Sequence, residues 1–345
     1  MPAISLIIPC YNTPEAQLRR ALESVAAQGF DDFELLLVDD GSEASFRPAY
    51  ARLAETAHAK LITTENQGVS AARNTAAAAA SGDYLAFLDA DDALTDRFFA
   101  EAYDLARKTE ADFIIGGVVL TNEISGFSAN DARKPMEYDV YEGADALALR
   151  RFFVCRELRM DFPGCTITKG PVARLIRREL FQAHPFRTEL SIGEDQVWNL
   201  EVLSAAPRVC VAHRHWYWYW QNEASAMHQF RADYRLRWEA QLAAVRDCLD
   251  LHDETLYRAY VMHIYDGIFY TWRCYFRYPA DSSEARAVKR AERRAIYHEA
   301  PWTELANPRF YRSAPRKYRI YSLLYRARVL LPVLGAWQRL KALRG

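Results

Sequence analysis

The chain has no C-x-x-C pair. Its cysteines (Cys10, Cys155, Cys165, Cys210, Cys248 and Cys274) are scattered, which excludes zinc-ribbon spacing and a dense disulfide framework. No stretch reaches the roughly 20 uninterrupted apolar residues of a membrane-spanning helix. The opening Met1-Pro2-Ala3-Ile4-Ser5 lacks the basic region and long apolar run of a signal peptide. A reducing, cytoplasmic location is therefore expected. Neither sign of charge is in excess: 44 Lys and Arg against 45 Asp and Glu leave a net −1, so no nucleic-acid partner is expected. Internal repeats are absent too.

What the chain does have, over its first third, is short apolar runs alternating with amphipathic segments. Ile4–Ile8, Phe33–Val38, Leu61–Thr63, Tyr84–Leu88 and Phe113–Ile115 read as strands. Pro14–Ala27, with Thr13 as N-cap, Ala71–Ala80 and Asp96–Lys108 read as helices between them. Strands spaced by helices imply right-handed βαβ units, hence an α/β fold with a mostly parallel sheet flanked by helices. Further along, Gly143–Glu157 and Pro171–Phe181 look helical, and Val209–Val211 and Trp216–Trp220 look like short strands. Beyond Phe230 strand signals stop, and Ala232–Leu249, Leu256–Arg273 and Ser283–His298 read as helices. A boundary near residue 230 divides the chain into 1–229 and 230–345.

Two predicted strands end in acidic turns, Val38-Asp39-Asp40-Gly41-Ser42 and Leu88-Asp89-Ala90-Asp91-Asp92. Parallel sheets bind ligands at the carboxyl ends of their strands. Carboxylates this crowded repel one another unless a cation offsets them. Mg²⁺ or Mn²⁺ suits such oxygen ligands and leaves positions open for phosphate. The plainer alternative is that Asp92 caps the next helix and the others are solvated turn residues. A phosphatase with an Asp-x-Asp nucleophile fits less well, because Asp89 follows a complete βαβαβ unit rather than the first strand.

At these residues the chain resembles the family 2 glycosyltransferases, the large inverting group with the GT-A fold. The resemblance rests on an ordered series: Ser5-Leu6-Ile7-Ile8-Pro9-Cys10-Tyr11-Asn12, Val38–Ser42, Asn66-Gln67-Gly68-Val69-Ser70-Ala71-Ala72-Arg73-Asn74, Gly82–Asp92 and Gly193-Glu194-Asp195. It implies that Pro9 and Tyr11 line a base pocket, that Asp40 accepts from a uracil-like ring N–H, and that Arg73 sits near the nucleotide. By the same likeness, Asp89 reaches the ribose or metal-bound water and Asp91 ligates Mn²⁺ or Mg²⁺. Asp195 would then be the base on the acceptor hydroxyl, with Glu194 beside it; from spacing alone, the pair reads as the acidic start of a helix, and the resemblance reverses that reading. Residues 1–229 would form the GT-A domain that binds the nucleotide sugar, a UDP-sugar by expectation, with 230–345 a helical region. The expected acceptor is a glycan or lipid-linked glycan in bacterial surface-polysaccharide synthesis. The two readings left beside this one are a metal-dependent nucleotidyl- or phosphotransferase and a non-catalytic carbohydrate-binding relative.

The series departs from the family at two places. Trp220 stands where many relatives carry an Arg, which removes a cation near the diphosphate; His215, His228 or Arg174 could replace it, or the segment could bind the acceptor. Arg174-Leu175-Ile176 stands where relatives often have Lys-Leu-Tyr. In His213–Trp220, strand alternation would put Trp216, Trp218 and Trp220 on one face, either as a sugar platform or as a core strand. Finally, no Asp or Glu follows Glu304, while Arg309, Arg312, Arg316, Lys317, Arg319, Arg326, Arg328, Arg339, Lys341 and Arg344 do. With Ile320, Leu323 and Trp337 among them, this tail suits an anionic membrane surface, peripheral on the inner face of the plasma membrane; a basic helix packed on protein is the alternative.

Overall fold

Unbroken apolar runs make the first, second and fourth strands, which are buried, whereas the third lies at the sheet edge and is partly exposed. In chain order these elements are β1 (Ile4–Cys10), α1 (Glu15–Ala26), β2 (Phe33–Asp40), α2 (Arg47–Thr56), β3 (Lys60–Thr64), α3 (Val69–Ala78) and β4 (Tyr84–Phe87). There follow β5 (Ala93–Leu94), α4 (Phe98–Thr109), β6 (Phe113–Thr121), β7 (Tyr138–Glu142), α5 (Gly143–Ala148) and α6 (Arg150–Val154). The remaining strands and their helices are β8 (Asp161–Phe162), β9 (Cys165–Thr166), β10 (Arg174–Arg177), α7 (Arg178–Ala183), α8 (Glu194–Ala205) and β11 (Arg208–Trp220). This computed structural model describes residues 1–124, 126–128, 135–155, 157–158, 161–162, 165–221, 230 and 232–342. The chain divides into two units, Met1–Arg150 with Arg159–Asn222, and Arg151–Leu158 with Glu223–Gly345.

In the first unit the strands form one sheet whose main path is β3-β2-β1-β4-β10-β6-β11-β5. The β3-β2-β1-β4 part is parallel, as the βαβ pattern requires. Register places Cys10 beside Asp39 and Ile7 beside Phe87, so the carboxyl ends of β1, β2 and β4 lie side by side. The other half is mixed rather than parallel. β10 runs antiparallel between β4 and β6, and β7 and β5 pair antiparallel with β11. The helix expected over Pro171–Phe181 is thus strand first and helix only from Arg178. Ala173 takes a positive φ of 55°, which interrupts any helix there, and Leu175 and Ile176 are buried as a central strand demands.

Residues 208–220 form one long strand, not two short ones, and its pairing with β6 shifts register around His215. Those irregularities break simple alternation: Trp216 and Tyr217 are both fully buried. Trp216 therefore belongs to the core and not to a shared face with Trp218 and Trp220. Its ring lies against Gly116, where an added Cβ would come within 2.2 Å of a ring carbon.

The second unit is helical. It contains α9 (Tyr234–Asp247), α10 (Glu254–Thr271) running into a π-helical turn, α11 (Ser283–His298), α12 (Pro308–Ser313), α13 (Arg316–Arg326) and α14 (Leu330–Ala342). Asp253, Ser282 and Asn307 cap α10, α11 and α12 through their side chains. The fully buried Trp302 centres this unit's core and donates its Nε1–H to Glu239 at 2.6 Å. Among the described residues no helix is long and apolar enough to cross a membrane.

Candidate active site

The loops after β1 and β2 hold each other. Asn12 takes a left-handed conformation (φ 48°) in which its N–H donates to Ser42 Oγ at 2.9 Å and its Oδ1 accepts from the Glu43 N–H at 2.9 Å. Beside this lock Tyr11 projects with 54% of its surface exposed. Pro9 lies on β1 opposite Val38. The turn after β2 needs glycine: Gly41 has φ 72°, and a Cβ there would meet the Asn66 nitrogen at 2.5 Å. Asp40 is buried, its oxygens accepting from the backbone N–H groups of Gln67 (3.0 Å) and Gly68 (2.9 Å). Asp39 is buried too, accepting from the Ser42 N–H at 2.8 Å. Carboxylate oxygens held this way keep lone pairs for a further donor.

The second acidic turn is built differently at each residue. Asp89, partly exposed, accepts from Arg73 Nη2 at 2.6 Å. Burial and the nearby Asp89 raise the Asp91 carboxyl above its usual range. Burial, then the charges of Asp89 and Asp91, push Asp92 up to about 8. Asp92 does not cap α4, whose N-cap is Arg97. Instead its oxygens accept from the Tyr217 hydroxyl (2.7 Å) and the Trp220 N–H (2.8 Å), and the Asp89 N–H donates to the same Tyr217 oxygen at 3.1 Å. Asp92 and Tyr217 together latch the end of β11 onto the turn.

Arg73 lies at the centre. It is 4% exposed, sits over the Phe186 ring at 5.3 Å, and has Asp89, Glu194 and Asp195 around it. Burial by itself would lower its pKa, yet those three charges raise it. Asn74 places the Phe186 platform by pairing twice with its backbone, at 2.8 and 3.0 Å. Glu194 and Asp195 begin α8 after Gly193, whose φ is 64°. Burial and the adjacent Glu194 push Asp195 up to about 7, against the opposing pull of the Gln196 N–H and of Arg73. Partial burial and the charges of Asp92, Asp89, Asp91 and Asp195 raise the phenol of Tyr219 to about 12.

Two of the residues expected as replacement cations are withdrawn from solvent to different degrees. Arg174 is completely buried, its guanidinium donating to the carbonyls of Gly116, Val172, Ala173 and Thr168. Bound this way it braces the sheet. His215 is half-buried, which lowers its pKa, and His228 falls outside the described residues. A second cation beside the acidic turn, after Arg73, is Arg20 of α1, which the sequence alone does not single out. Its Nη2 donates to the Asp91 carbonyl, its guanidinium lies 4.9 Å above the Trp220 ring, and its buried Nε has no partner among the described residues. On α1 it looked like any solvated helix arginine. As to metals, no group of three His, Cys, Asp or Glu among the described residues could hold one alone. Asp89 and Asp91 contribute two carboxylates to the acidic turn.

A family model described as "Glycosyl transferase family 2" matches residues 5–182, just over half of the chain. The chain belongs to glycosyl transferase family 2. The matched span takes in the stations from Pro9 to Asp92, while Glu194 and Asp195 lie beyond it. The chain is similar to the putative glycosyltransferase EpsH of Bacillus subtilis (strain 168), 31% identical over 205 residues, 57% of this chain and 55% of EpsH. The succinoglycan biosynthesis protein ExoW of Rhizobium meliloti (strain 1021) is 36% identical over 116 residues, 32% of this chain and 36% of ExoW. The chain thus spans about half of EpsH and a third of ExoW. Among solved structures, S. aureus TarS 1-349 in complex with UDP-GlcNAc superposes with a TM-score of 0.61 at 18% identity, over 99% of this chain and 92% of that one. At such low identity the likeness concerns the fold, which is GT-A. The matched residues form a family 2 glycosyl transferase domain.

Proposed function

We propose that the protein transfers a sugar from a UDP-linked donor, with inversion, to a hydroxyl of a glycan or lipid-linked glycan during surface-polysaccharide assembly. One observation carries this reading: the buried Arg73 joins Asp89, after β4, to Glu194 and Asp195, at the start of α8. That arrangement supports a donor station and an acceptor base around one guanidinium. Tyr11 offers an exposed ring to stack on a nucleobase, and the immobilised Asp40 keeps lone pairs for its ring N–H.

Asp195, with a carboxyl near neutrality, is suited to take the proton from the acceptor hydroxyl. The oxygen so freed attacks the anomeric carbon from the face opposite the diphosphate. The bond from that carbon to the β-phosphate oxygen breaks, and the nucleoside diphosphate leaves with the electron pair. Arg20 would stand in for the cation that Trp220 displaces. The donor set also fits Mn²⁺ or Mg²⁺, which take one or two carboxylates and complete their shell with phosphate oxygens and water. Asp91, with Asp89, would hold the ion, and its charge would offset that developing on the leaving diphosphate. The GDP-Man and Mn²⁺ complex of Pyrobaculum calidifontis PcManGT (TM-score 0.51, 16% identity) shows that this fold accommodates such a pair in another protein.

Calorimetric titration with a panel of nucleotide sugars, with Mn²⁺ and with chelator, tests the donor half of this reading. UDP-sugars should bind only with the ion, and turnover should release intact UDP. Release of free phosphate or pyrophosphate would instead identify a phospho- or nucleotidyltransferase.

A further inference from the structure

Helix α13 buries Tyr318, Ser322 and Tyr325 and turns Ile320 and Leu323 outward, at 49% and 50% exposure. Helix α14 repeats the division: Leu330, Leu331 and Leu334 are buried, whereas Val333 and Trp337, one turn apart, are 40% and 51% exposed. Both helices are firmly mounted. Ser322 Oγ donates to the Leu305 carbonyl at 2.6 Å, Tyr325 to that of Ile296 at 2.7 Å, and the Leu331 N–H to Tyr297 Oη at 3.1 Å. The outward apolar groups are therefore a standing surface of the folded protein.

Cations flank that surface. Arg316, Arg319 and Arg328 are exposed, and none pairs with a carboxylate among the described residues. Lys317, by contrast, is neutralised by Glu157 at 2.5 Å. No acid later than Glu304 exists in the sequence to balance them.

We propose that the outer face of α13 and α14 rests on an anionic lipid surface. Ile320, Leu323, Val333 and Trp337 enter the interfacial layer while the three arginines meet the head-group phosphates. Indole side chains favour that depth. A second copy of the chain fits less well, because a two-fold contact through this face would set arginine against arginine. A nucleic-acid backbone would satisfy the arginines but offers the aliphatic chains nowhere to bury. A membrane with anionic lipid meets both needs at once. The surface would bring the enzyme to a lipid-linked acceptor, but its existence does not depend on that acceptor or on the donor.

Vesicle flotation of the full chain decides the matter. Binding should appear on phosphatidylcholine vesicles containing phosphatidylglycerol, weaken with salt, and be absent on phosphatidylcholine alone. Replacing Arg316, Arg319 and Arg328 by Gln should lower partitioning roughly a hundredfold, as the loss of three near-surface charges requires. The pair Leu323→Ser and Trp337→Ser should also weaken it, with circular dichroism and melting temperature unchanged in both variants. No flotation, equal flotation on neutral vesicles, or a concentration-dependent dimer that Leu323→Ser abolishes would each overturn the proposal.

Discussion

At the scale of single residues, the site assigns different tasks to chemically identical carboxylates. Asp40 is immobilised on amide donors, Asp89 is paired with a guanidinium, and Asp92 is held by a phenol and an N–H. Asp195 is the acid that burial and a neighbouring carboxylate bring to about 7. If Asp195 is the base, only its ionised form works. kcat/KM should then fall about tenfold per pH unit well below 7 and level off above it. Asp195→Asn should cost about 10²–10⁴ in kcat with UDP affinity retained, and the acid limb of the profile should go with it. Undiminished turnover in that variant would remove Asp195 from the role. The acidic strings and Arg73 were legible in the sequence because short motifs carry them. Arg20 was not, because nothing along α1 tells that its guanidinium meets the carbonyl of Asp91, far along the chain.

At the scale of elements, β11 does what neither of the two short strands expected there could do. Its early part, through Trp216, sits in the core, and its end closes over the acidic turn through Tyr217 and Trp220. Tyr217→Phe would remove the donor to Asp92 and the acceptor for the Asp89 N–H, leaving buried polar groups unsatisfied. A cost of about 1–3 kcal/mol follows. For a unit of this size that lowers the melting temperature by about 2–4 °C per kcal/mol. Asp92→Asn should cost less, because a carboxyl raised to about 8 is already largely neutral at pH 7. Thermal unfolding checks both: no loss in Tyr217→Phe would show that the latch is not what holds the turn, and equal losses in the two variants would show that Asp92 is ionised there. Alternation in the sequence could not reveal this arrangement. The register shifts around His215 put adjacent residues, Trp216 and Tyr217, both into the interior.

On the scale of the whole molecule, the two units carry different chemistry. The first gathers the acidic stations at the strand ends, and the second ends in the basic α13 and α14. Hydrogen exchange on adding UDP and Mn²⁺ should therefore slow in the loops after β1, β2 and β4 and at the start of α8, and stay unchanged in α13 and α14. Protection confined to the helical unit would move the donor site away from Asp40 and Asp91. The second unit also contains Arg151–Leu158, which lie far from the rest of it in sequence. Periodicity could show helices in both places but not their association.

The α/β class, the helical final third, the order of the motifs and hence the family were determined by the sequence alone, through local periodicity and short strings tied to tight turns. Only the tertiary structure decided which charges meet. It buried Arg174 in the sheet, brought Arg20 to the acidic turn, and made Asp92 a latch instead of a helix cap. These outcomes depend on strand register, on the irregularities of β11 and on desolvation, none of which a residue's neighbours in the chain can specify.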